Sequence, residues 1–456
     1  MTPPGARGIA ADIVALAGPM LVSQLASIGT NVADTLIAGH HATADLAAVA
    51  VGGGLFLSVA FALVGILQSA SPIIAHHVGA GRTSDIVPAF QQSVWLALFL
   101  ALPGALLLAF PDPLLALAKL DSAVEAKARA YLLALAFALP GALLFRAFQA
   151  LMNGIGQPRP VMLIMLGCLA LHVPLAWALT TGVFGTAFGA LGCGLSTFAV
   201  NWLSVVCALA YLRRSPRFCA LRPFAGWQAP RARAQREMLH LGGPMGVSNF
   251  VEITSFALIA LFVARLGADV VAGHRVIANL NGVCFMLPLA LGSGTLVRVG
   301  QAAGGHDWGR ARSTALTGLL LAGTLASVVG FALWSFHGTL LALFSPDPAV
   351  IAVALTLIPY VVLFVWIDAV HTLASFALRG YKVTLLPMVV HAVCFWGIGL
   401  GLGRQLAFHG LPWQTPPQPM GASGFWFATL LSTALAGIAI GALLHRVLRR
   451  KSVAAP

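Results

Sequence analysis

The chain has 456 residues, of which 59% are hydrophobic and only 9% are charged, and its formal net charge is +13. Globular domains carry about 25% charged residues, so this composition excludes an ordinary soluble protein. Apolar stretches of about 20 residues, the length that crosses a bilayer, recur along the chain. They predict an all-α polytopic membrane protein with twelve transmembrane helices. The predicted spans, in chain order, are residues 10–39, 46–78, 86–110, 127–153, 161–181, 188–212, 238–266, 270–303, 311–337, 349–379, 384–406 and 422–445.

The positive charge follows a membrane topology. If the N-terminus is cytoplasmic, most of the 26 Lys and Arg residues fall in inner loops or tails, including the stretch from Arg213 to Arg236 and the tail after Arg446. An excess of Lys and Arg in cytoplasmic loops is the usual pattern of membrane proteins. We therefore expect a multi-pass membrane protein with both termini in the cytoplasm. The charge requires no nucleic-acid partner, and none is expected.

The chain contains an internal repeat. Leu16–Gln24 reads LAGPMLVSQ, and Leu241–Asn249, 225 residues later, reads LGGPMGVSN. Each half has six predicted spans, an even number, so both halves begin on the same side of the membrane as parallel repeats. Two such lobes enclose a central cleft, and rocking them gives alternating access. We predict an N-terminal six-helix lobe over residues 1–220 and a C-terminal six-helix lobe over residues 221–456, joined by an Arg-rich linker at about 213–236.

Three predicted spans carry polar stripes that include a carboxylate. Residues three or four positions apart share one face of a helix. The stripe of the first span consists of Gln24, Ser27, Asn31 and Asp34. The stripe of the seventh span consists of Ser248, Glu252 and Ser255, with Asn249 beside it. The stripe of the tenth span consists of Asp368, His371, Thr372 and Ser375. Because polar side chains inside a bilayer must face protein or water, we expect these stripes to line the cleft or a pocket within a lobe.

The acids of these stripes, Asp34, Glu252 and Asp368, are the predicted ion-coupling or proton-coupling residues. A charge at the bilayer centre costs about 2.5–3.5 kcal/mol on insertion scales, so such groups usually have a function. Glu252 and Asp368 lie in the same half, where two carboxylates repel each other and favour a proton or a hard cation such as Na⁺. No cofactor is expected apart from this coupling cation, Na⁺ or H⁺. The alternative for each acid is a structural salt bridge, for Asp34 with Arg146 or Arg275.

The histidines of the predicted spans give a weaker pattern. His371 shares a helix face with Asp368 and is placed to modulate its ionisation. His172, His274 and His391 are far apart in the sequence and lack the spacing of metal ligands. We therefore predict no transition-metal site among these three histidines.

The sequence resembles the multidrug and toxic compound extrusion (MATE) transporters. The resemblance rests on GPMLVSQ with Asp34 in the first span, on the segment ADLAAVAVGG after it, on the second Gly-Pro-Met with Glu252, and on the Gly-rich stretch from Val299 to Gly305. It covers nearly the whole chain and is most like the NorM-type branch, which has carboxylates on helices 7 and 10 and another on helix 1. It implies two six-helix bundles in a V-shaped arrangement, which export organic, often cationic, compounds in exchange for sodium or protons.

The chain also departs from patterns of that family. The DinF-type branch has a helix-5 aspartate that works with the helix-1 acid, whereas the fifth span here has His172 and no acid. Phe364 stands one turn before Asp368, where a tyrosine would offer an oxygen ligand. These departures leave the choice between Na⁺ and H⁺ open.

The sequence is compared with the requirements of three candidate functions. The leading prediction is secondary active multidrug efflux by a monomer, with organic cations or drugs as substrates and membrane lipid as the surroundings. A lipid-linked sugar flippase of the same superfamily would need a strongly basic cleft, but the intramembrane charges lean acidic. An intramembrane enzyme is suggested only by the spacing of Asp368 and His371, and the sequence has no paired nucleophile motif. We predict a transporter without enzymatic activity.

Overall fold

The computed structural model describes residues 6–118, 121–183, 185–216, 226–344, 346–410 and 418–453. Within these ranges the chain forms helices and turns, and no strand. Twelve helical segments are long and apolar enough to cross a membrane, which confirms the predicted all-α fold with twelve spans. Spans 1 to 12 are Arg7–His41, Thr43–Gly79, Thr83–Ala109, Ser122–Gly154, Arg159–Thr181, Ala190–Arg214, Ala232–Leu266, Ala268–Gly304, Trp308–Phe344, Pro348–Gly380, Leu385–His409 and Ala422–Lys451.

Spans 2 and 11 depart from a continuous α-helix in their interior. Span 2 consists of the α-helices Thr43–Leu67 and Ala70–Gly79, separated by a turn. Span 11 begins as an α-helix at Leu385–His391, continues as a π-helix at Ala392–Leu402 and ends as an α-helix at Gly403–His409. π-Helical turns are rare and frequently lie at functional sites. The shorter elements are the 3₁₀ turns Thr83–Asp85 and Ala264–Leu266 and the α-helix Asp112–Ala118.

Helices extend into the predicted linker from both sides. Span 6 continues to Arg214 and span 7 begins at Ala232, whereas residues 217–225 lie outside the described ranges. Charged residues do not end these helices, because Arg and Lys have high helix propensity and can reach past the membrane boundary. The linker residues just before span 7 form hydrogen bonds with span 3. The backbone carbonyl of Gln228 accepts from Trp95 Nε1 at 2.9 Å, and the amide of Arg231 donates to Gln92 Oε1 at 2.8 Å.

The described chain packs as two compact units. One unit is Gly18–Gly246, and the other joins the residues up to Ala17 with those from Val247 onward. Both boundaries fall inside a helix, at the repeated Gly-Pro-Met motifs of spans 1 and 7. The start of span 1 therefore packs with the C-terminal half, and the start of span 7 packs with the N-terminal half. The predicted lobes of residues 1–220 and 221–456 follow chain order, and that division stays a prediction.

One helix crossing occurs in both units. A Cβ atom on Gly242 of span 7 would lie 2.9 Å from the Oγ of Ser69 in span 2. A Cβ atom on Gly294 of span 8 would lie 3.4 Å from the amide nitrogen of Ala17 in span 1. Ala17 and Gly242 are 225 residues apart, and so are Ser69 and Gly294. The repeat in the sequence is thus also a repeat in the packing of these helices.

We expect Gly242→Ala to destabilise the protein. The added Cβ would collide with the backbone carbonyl oxygen of Ile66, which cannot rotate away as a flexible side chain can. Overpacking of this kind typically costs about 1–3 kcal/mol. The control is Gly243→Ala, whose Cβ would have nothing within 4 Å and which removes a poor helix former. Thermal unfolding of the two variants checks this: equal or higher midpoints for Gly242→Ala would contradict the close crossing.

A buried carboxylate fixes four spans of the Gly18–Gly246 unit. Asp45 of span 2 is fully buried, and its Oδ1 accepts from Lys127 Nζ of span 4 at 2.8 Å and from the backbone amide of Ala190 in span 6 at 3.0 Å. Its Oδ2 lies 2.7 Å from Nδ1 of His41, at the end of span 1. These bonds satisfy the carboxylate, which sequence analysis did not single out. They hold spans 1 and 6 together near the predicted coupling residue Asp34.

Candidate functional site

Glu252 and Asp368 share a small cavity in the unit that contains residues 247–453. The centre of a water molecule can occupy a volume of about 20 Å³ in this cavity. That volume is enough for one or two waters or for one ion. Spans 7, 10, 11 and 12 form its walls. The lining residues are Glu252, Ser255, Phe256, Ile259, Phe364, Asp368, Phe395, Gly399, Thr429, Ser432 and Thr433. The polar stripes of spans 7 and 10 thus meet at their acids.

The hydroxyl groups of the cavity complement the two carboxylates. Ser255 Oγ donates to the carbonyl of Val251 at 2.7 Å, and Thr429 Oγ1 donates to that of Phe425 at 2.8 Å. Ser432 Oγ donates in the same way to the carbonyl of Thr429, at 2.9 Å. Because each hydroxyl hydrogen is used within its own helix, the oxygen lone pairs remain available to a cation. Carboxylate and hydroxyl oxygens are the donors that hard cations prefer, so the residues present fit Na⁺ as well as H⁺.

Aromatic side chains isolate this oxygen-rich cavity. Phe364 packs edge-on against Phe256 and against Trp426, with ring centroids 6.2 and 6.1 Å away. Phe395 completes the wall from the π-helical part of span 11. A low-dielectric surrounding strengthens any interaction between the two carboxylates and a cation. The Phe364 side chain offers no oxygen ligand, whereas a tyrosine at this position would.

His371 lies between the acid cavity and a second histidine. Its Nδ1 is 3.7 Å from Asp368 Oδ1, so the two side chains meet as their spacing predicts. Its Nε2 is 2.9 Å from Nε2 of His391 in span 11. The His391 ring stacks on Phe395, with centroids 5.3 Å apart. Sequence analysis missed His391 as a site residue, because nothing in its spacing relates it to a histidine of another helix.

The remaining residues of the C-terminal stripes lie near the cavity without lining it. Ser248, Thr372 and Ser375 are buried. Asn249 Oδ1 accepts from Arg379 Nη2 at 3.4 Å. Arg379 is buried at the end of span 10, and its guanidinium lies over the ring of Phe376. A buried guanidinium beside the acid stripe of span 7 is a feature that the charge pattern alone did not reveal.

Asp34 forms a separate cluster in the Gly18–Gly246 unit. Its side chain is 4% exposed, and its Oδ1 is 2.9 Å from Nε2 of His172 in span 5. Thr197 Oγ1 of span 6 donates to Asp34 Oδ2 at 3.3 Å. Nδ1 of His172 faces Ser196 Oγ at 3.4 Å. Span 5 thus supplies a histidine, rather than an acid, as the partner of the span 1 carboxylate.

Arg146, one of the two arginines considered as salt-bridge partners of Asp34, has another partner in this unit. Arg146 instead donates to Gln149 Oε1 at 2.6 Å, one turn along its own helix. The rest of the span 1 stripe is turned partly outward: Asn31 is exposed and its Nδ2 donates to the carbonyl of Ser27 at 3.0 Å. Gln24 Oε1 is buried without a hydrogen-bond partner in the described residues. Only Asp34 of this stripe enters the buried cluster.

The described residues contain no group of three or more His, Cys, Asp or Glu side chains that could hold a metal ion. That absence does not bear on the oxygen donors of the cavity, because hydroxyl groups are a different class of ligand.

Comparison with known proteins places the chain in a family. The MatE family model matches it twice, at residues 19–178 and 244–403, which reproduces the repeat offset of 225 residues. A probable multidrug resistance protein NorM from Aromatoleum aromaticum is 49% identical over 95% of this chain and 93% of its own length. A protein of the same description from Chromobacterium violaceum is 36% identical over 97% and 95%.

Solved structures agree with this family. The crystal structure of the eukaryotic MATE transporter AtDTX14 matches 98% of this chain and 99% of its own, with a TM-score of 0.87 at 20% identity. At this identity the match concerns the fold alone. The resemblance predicted from the sequence motifs and the predicted two-repeat fold are both confirmed. The chain belongs to the MatE family and is a NorM-type multidrug and toxic compound extrusion transporter.

Proposed function

We propose that this protein exports a range of organic, often cationic, compounds from the cell in exchange for Na⁺ or H⁺. The observation that carries the proposal is the cavity that Glu252 and Asp368 share, with hydroxyl oxygens around it. The relatives described above are named for multidrug resistance, which supports this class of substrate. The proposal includes no catalytic step, no nucleic-acid partner and no cofactor other than the coupling cation. The transporter works as a monomer in membrane lipid.

The coupling follows from competition for negative charge. A bound proton or Na⁺ neutralises part of the charge of Glu252 and Asp368, and a cationic drug is then attracted less. Binding of the drug disfavours the cation to the same degree, because the coupling between two ligands is reciprocal. Exchange across the membrane requires that the two ligands be taken up on opposite sides, through alternating access of the two lobes. Asp34, with His172, provides a further carboxylate for drug or proton.

Transport driven by an ion gradient tests this function. Purified protein in liposomes should accumulate a fluorescent organic cation against its own gradient when an opposed Na⁺ or H⁺ gradient is imposed. An ionophore that removes the gradient should abolish the accumulation. Movement of the dye at the same rate with and without any ion gradient, and never uphill, would refute antiport.

The proposed topology places both termini in the cytoplasm of a bacterium, in its inner membrane. The excess of Lys and Arg in the loops on that side supports it. Single cysteines at exposed positions test it in a cysteine-free background: Ala229→Cys between spans 6 and 7, and Asp121→Cys between spans 3 and 4. An impermeant thiol reagent added to intact cells should label only the cysteine at position 121. Labelling of position 229 alone would reverse the orientation.

A further inference from the structure

One end of the unit that contains residues 247–453 is strongly basic. Spans 8, 10 and 12 end there, and spans 9 and 11 begin there. The Arg and Lys residues of this basic end are Arg298, Arg310, Arg312, Arg379, Lys382, Arg446, Arg449, Arg450 and Lys451. In the described part of the unit, the acids at this end are Asp12 of span 1 and Asp307. Exchange of a drug for a cation at the acid cavity gives this positive charge no role.

The two acids of the basic end already have partners. Asp12 Oδ1 is 3.6 Å from Nη2 of Arg298, and Asp12 Oδ2 is 3.8 Å from Nη2 of Arg310. Asp307 Oδ1 accepts from the backbone amide of Arg310 at 2.9 Å, at the start of span 9. Among the described residues, the cations of the basic end that form no salt bridge include Arg312, Arg446, Arg450 and Lys451. Their charge is not balanced by a carboxylate of the described chain.

Span 12 brings two like charges together. Arg446 and Arg450 are four residues apart, on one face of the helix, where like charges repel each other. The helix Ala422–Val453 contains no Asp or Glu that could compensate them. Both side chains are exposed. An anion that binds from outside the protein would relieve this repulsion.

Trp308 connects this end of span 12 with the start of span 9. Lys451 Nζ lies 4.7 Å from the centroid of the Trp308 ring. Arg312 follows Trp308 by one turn and interacts electrostatically with Tyr381, in the turn between spans 10 and 11. Trp308 packs against the buried cluster to which Tyr381 belongs. Because Trp and Tyr are enriched at the level of the lipid headgroups, these cations lie where a headgroup can reach them.

Exposed apolar stripes lead from these cations toward the middle of both helices. On span 9, Leu316 and Leu320 follow Arg312 at steps of four residues and are 41% and 72% exposed. On span 12, Ile438 lies two steps of four residues before Arg446 and is 70% exposed. Residues at such steps lie along one side of a helix. Each stripe is therefore basic at its end and apolar along its length.

This arrangement matches an amphiphile with an anionic head. Arg side chains bind phosphate oxygens through paired N–H donors, and clusters of Arg and Lys beside a membrane span attract anionic lipids. A free phosphate ion matches only the charged part of the surface, whereas an anionic phospholipid matches both parts. We propose that the basic end of spans 9 and 12 binds the headgroup of an anionic phospholipid, whose chains lie along the apolar stripes. The inference does not depend on the coupling ion or on the drug.

Lipid titrations in detergent test this proposal. The wild-type protein receives phosphatidylglycerol, phosphatidylcholine with the same chains, or sodium phosphate, and its unfolding midpoint is measured at each concentration. Phosphatidylglycerol should raise the midpoint with a half-saturating concentration at least fivefold lower than that of phosphatidylcholine. Sodium phosphate should give no saturable rise in the same range. Equal effects of the two lipids, or of phosphatidylglycerol and inorganic phosphate, would overturn the proposal.

Single substitutions locate the headgroup. Arg312→Gln and Lys451→Gln alter exposed side chains, and each should reduce the preference for phosphatidylglycerol at least threefold. Arg312→Lys keeps the charge and should keep most of the preference. The matched control is Arg404→Gln, which removes an exposed arginine near the opposite end of span 11 and should leave the preference unchanged. Full preference in both glutamine variants, or an equal loss in the control, would refute the assignment to the basic end.

Trp308 allows a measurement that does not depend on unfolding. In liposomes, phosphatidylglycerol with brominated chains should quench the part of the tryptophan fluorescence that Trp308→Phe removes. Brominated phosphatidylcholine at the same mole fraction should quench it less. Equal quenching by the two lipids would contradict a selective headgroup site beside Trp308, even if the unfolding midpoints differ.

Discussion

Replacing Glu252 with glutamine or Asp368 with asparagine should each abolish drug efflux while the protein still inserts in the membrane. Both acids line one cavity, together with hydroxyl oxygens that have no charge of their own. Removing one carboxylate removes a charge that both the cation and a cationic drug require, so exchange between them is lost. We expect transport to fall by at least tenfold in each variant. Uptake of an organic cation into energised vesicles, normalised to the amount of inserted protein, provides the measurement.

The controls are the same chemical changes at acids outside the cavity. Glu125→Gln and Asp121→Asn alter residues at the start of span 4, outside the cavity, and should transport as the wild type does. Full resistance or full uptake in either Glu252→Gln or Asp368→Asn would show that the shared cavity is not the coupling site.

Asp34→Asn should leave the protein folded and reduce transport by at least tenfold. Asparagine keeps an oxygen near His172 and Thr197, so the buried cluster retains hydrogen bonds. It removes the charge that would attract a proton or a cationic drug. If Asp34 served only as one partner of a buried ion pair, its loss would leave an unpaired charge and cost about 3–5 kcal/mol. Thermal unfolding and drug uptake of the same preparation distinguish the two effects.

A double variant tests whether the Asp34 cluster is only structural. If Asp34 serves as a static partner of His172, the single variant should be destabilised, and Asp34→Asn combined with His172→Asn should regain both stability and transport. Recovery of full transport in the double variant would exclude Asp34 from the mechanism. Our account predicts that the double variant remains inactive, because no charge returns to span 1.

The sequence was sufficient to predict the fold class and the proximity of Glu252 and Asp368. Twelve spans follow from hydropathy, because an apolar helix of about 20 residues crosses the bilayer and satisfies its own backbone polar groups. The 225-residue repeat follows from the two Gly-Pro-Met motifs, and the family model matches at the same offset. Helical spacing placed Ser255 with Glu252, and His371 with Asp368. That the two carboxylates share a cavity was expected from their common half and is seen in the packing.

The contacts between distant helices could not be predicted in the same way. His391 lies 20 residues after His371, and His172 lies 138 residues after Asp34. Periodicity relates residues within one helix and contains no information about which faces of two helices meet. The burial of Arg379 was likewise not predicted, because a charge at the end of an apolar stretch usually lies in a loop or at the membrane boundary.

The boundaries of the two compact units could not be predicted from the order of the spans in the sequence. Hydropathy and the repeat divide the chain between spans 6 and 7, but packing divides it within spans 1 and 7. Near these boundaries a Cβ on Gly242 would collide with the backbone of Ile66, and a Cβ on Gly294 would lie 3.0 Å from the carbonyl oxygen of Ile13. Close approach at a glycine leaves no distinct signal in a sequence with 48 glycines.

Release of the coupling ion on drug binding tests the central claim most directly. Purified wild-type protein, loaded with protons in weak buffer or with radioactive Na⁺, is mixed with a saturating organic cation, and the released ion is measured. Our account predicts release from the wild type, and from the Glu125→Gln control, and none from Glu252→Gln or Asp368→Asn. Tight drug binding by the wild type without release of either ion, and with an affinity that varies with neither pH nor Na⁺, would contradict it.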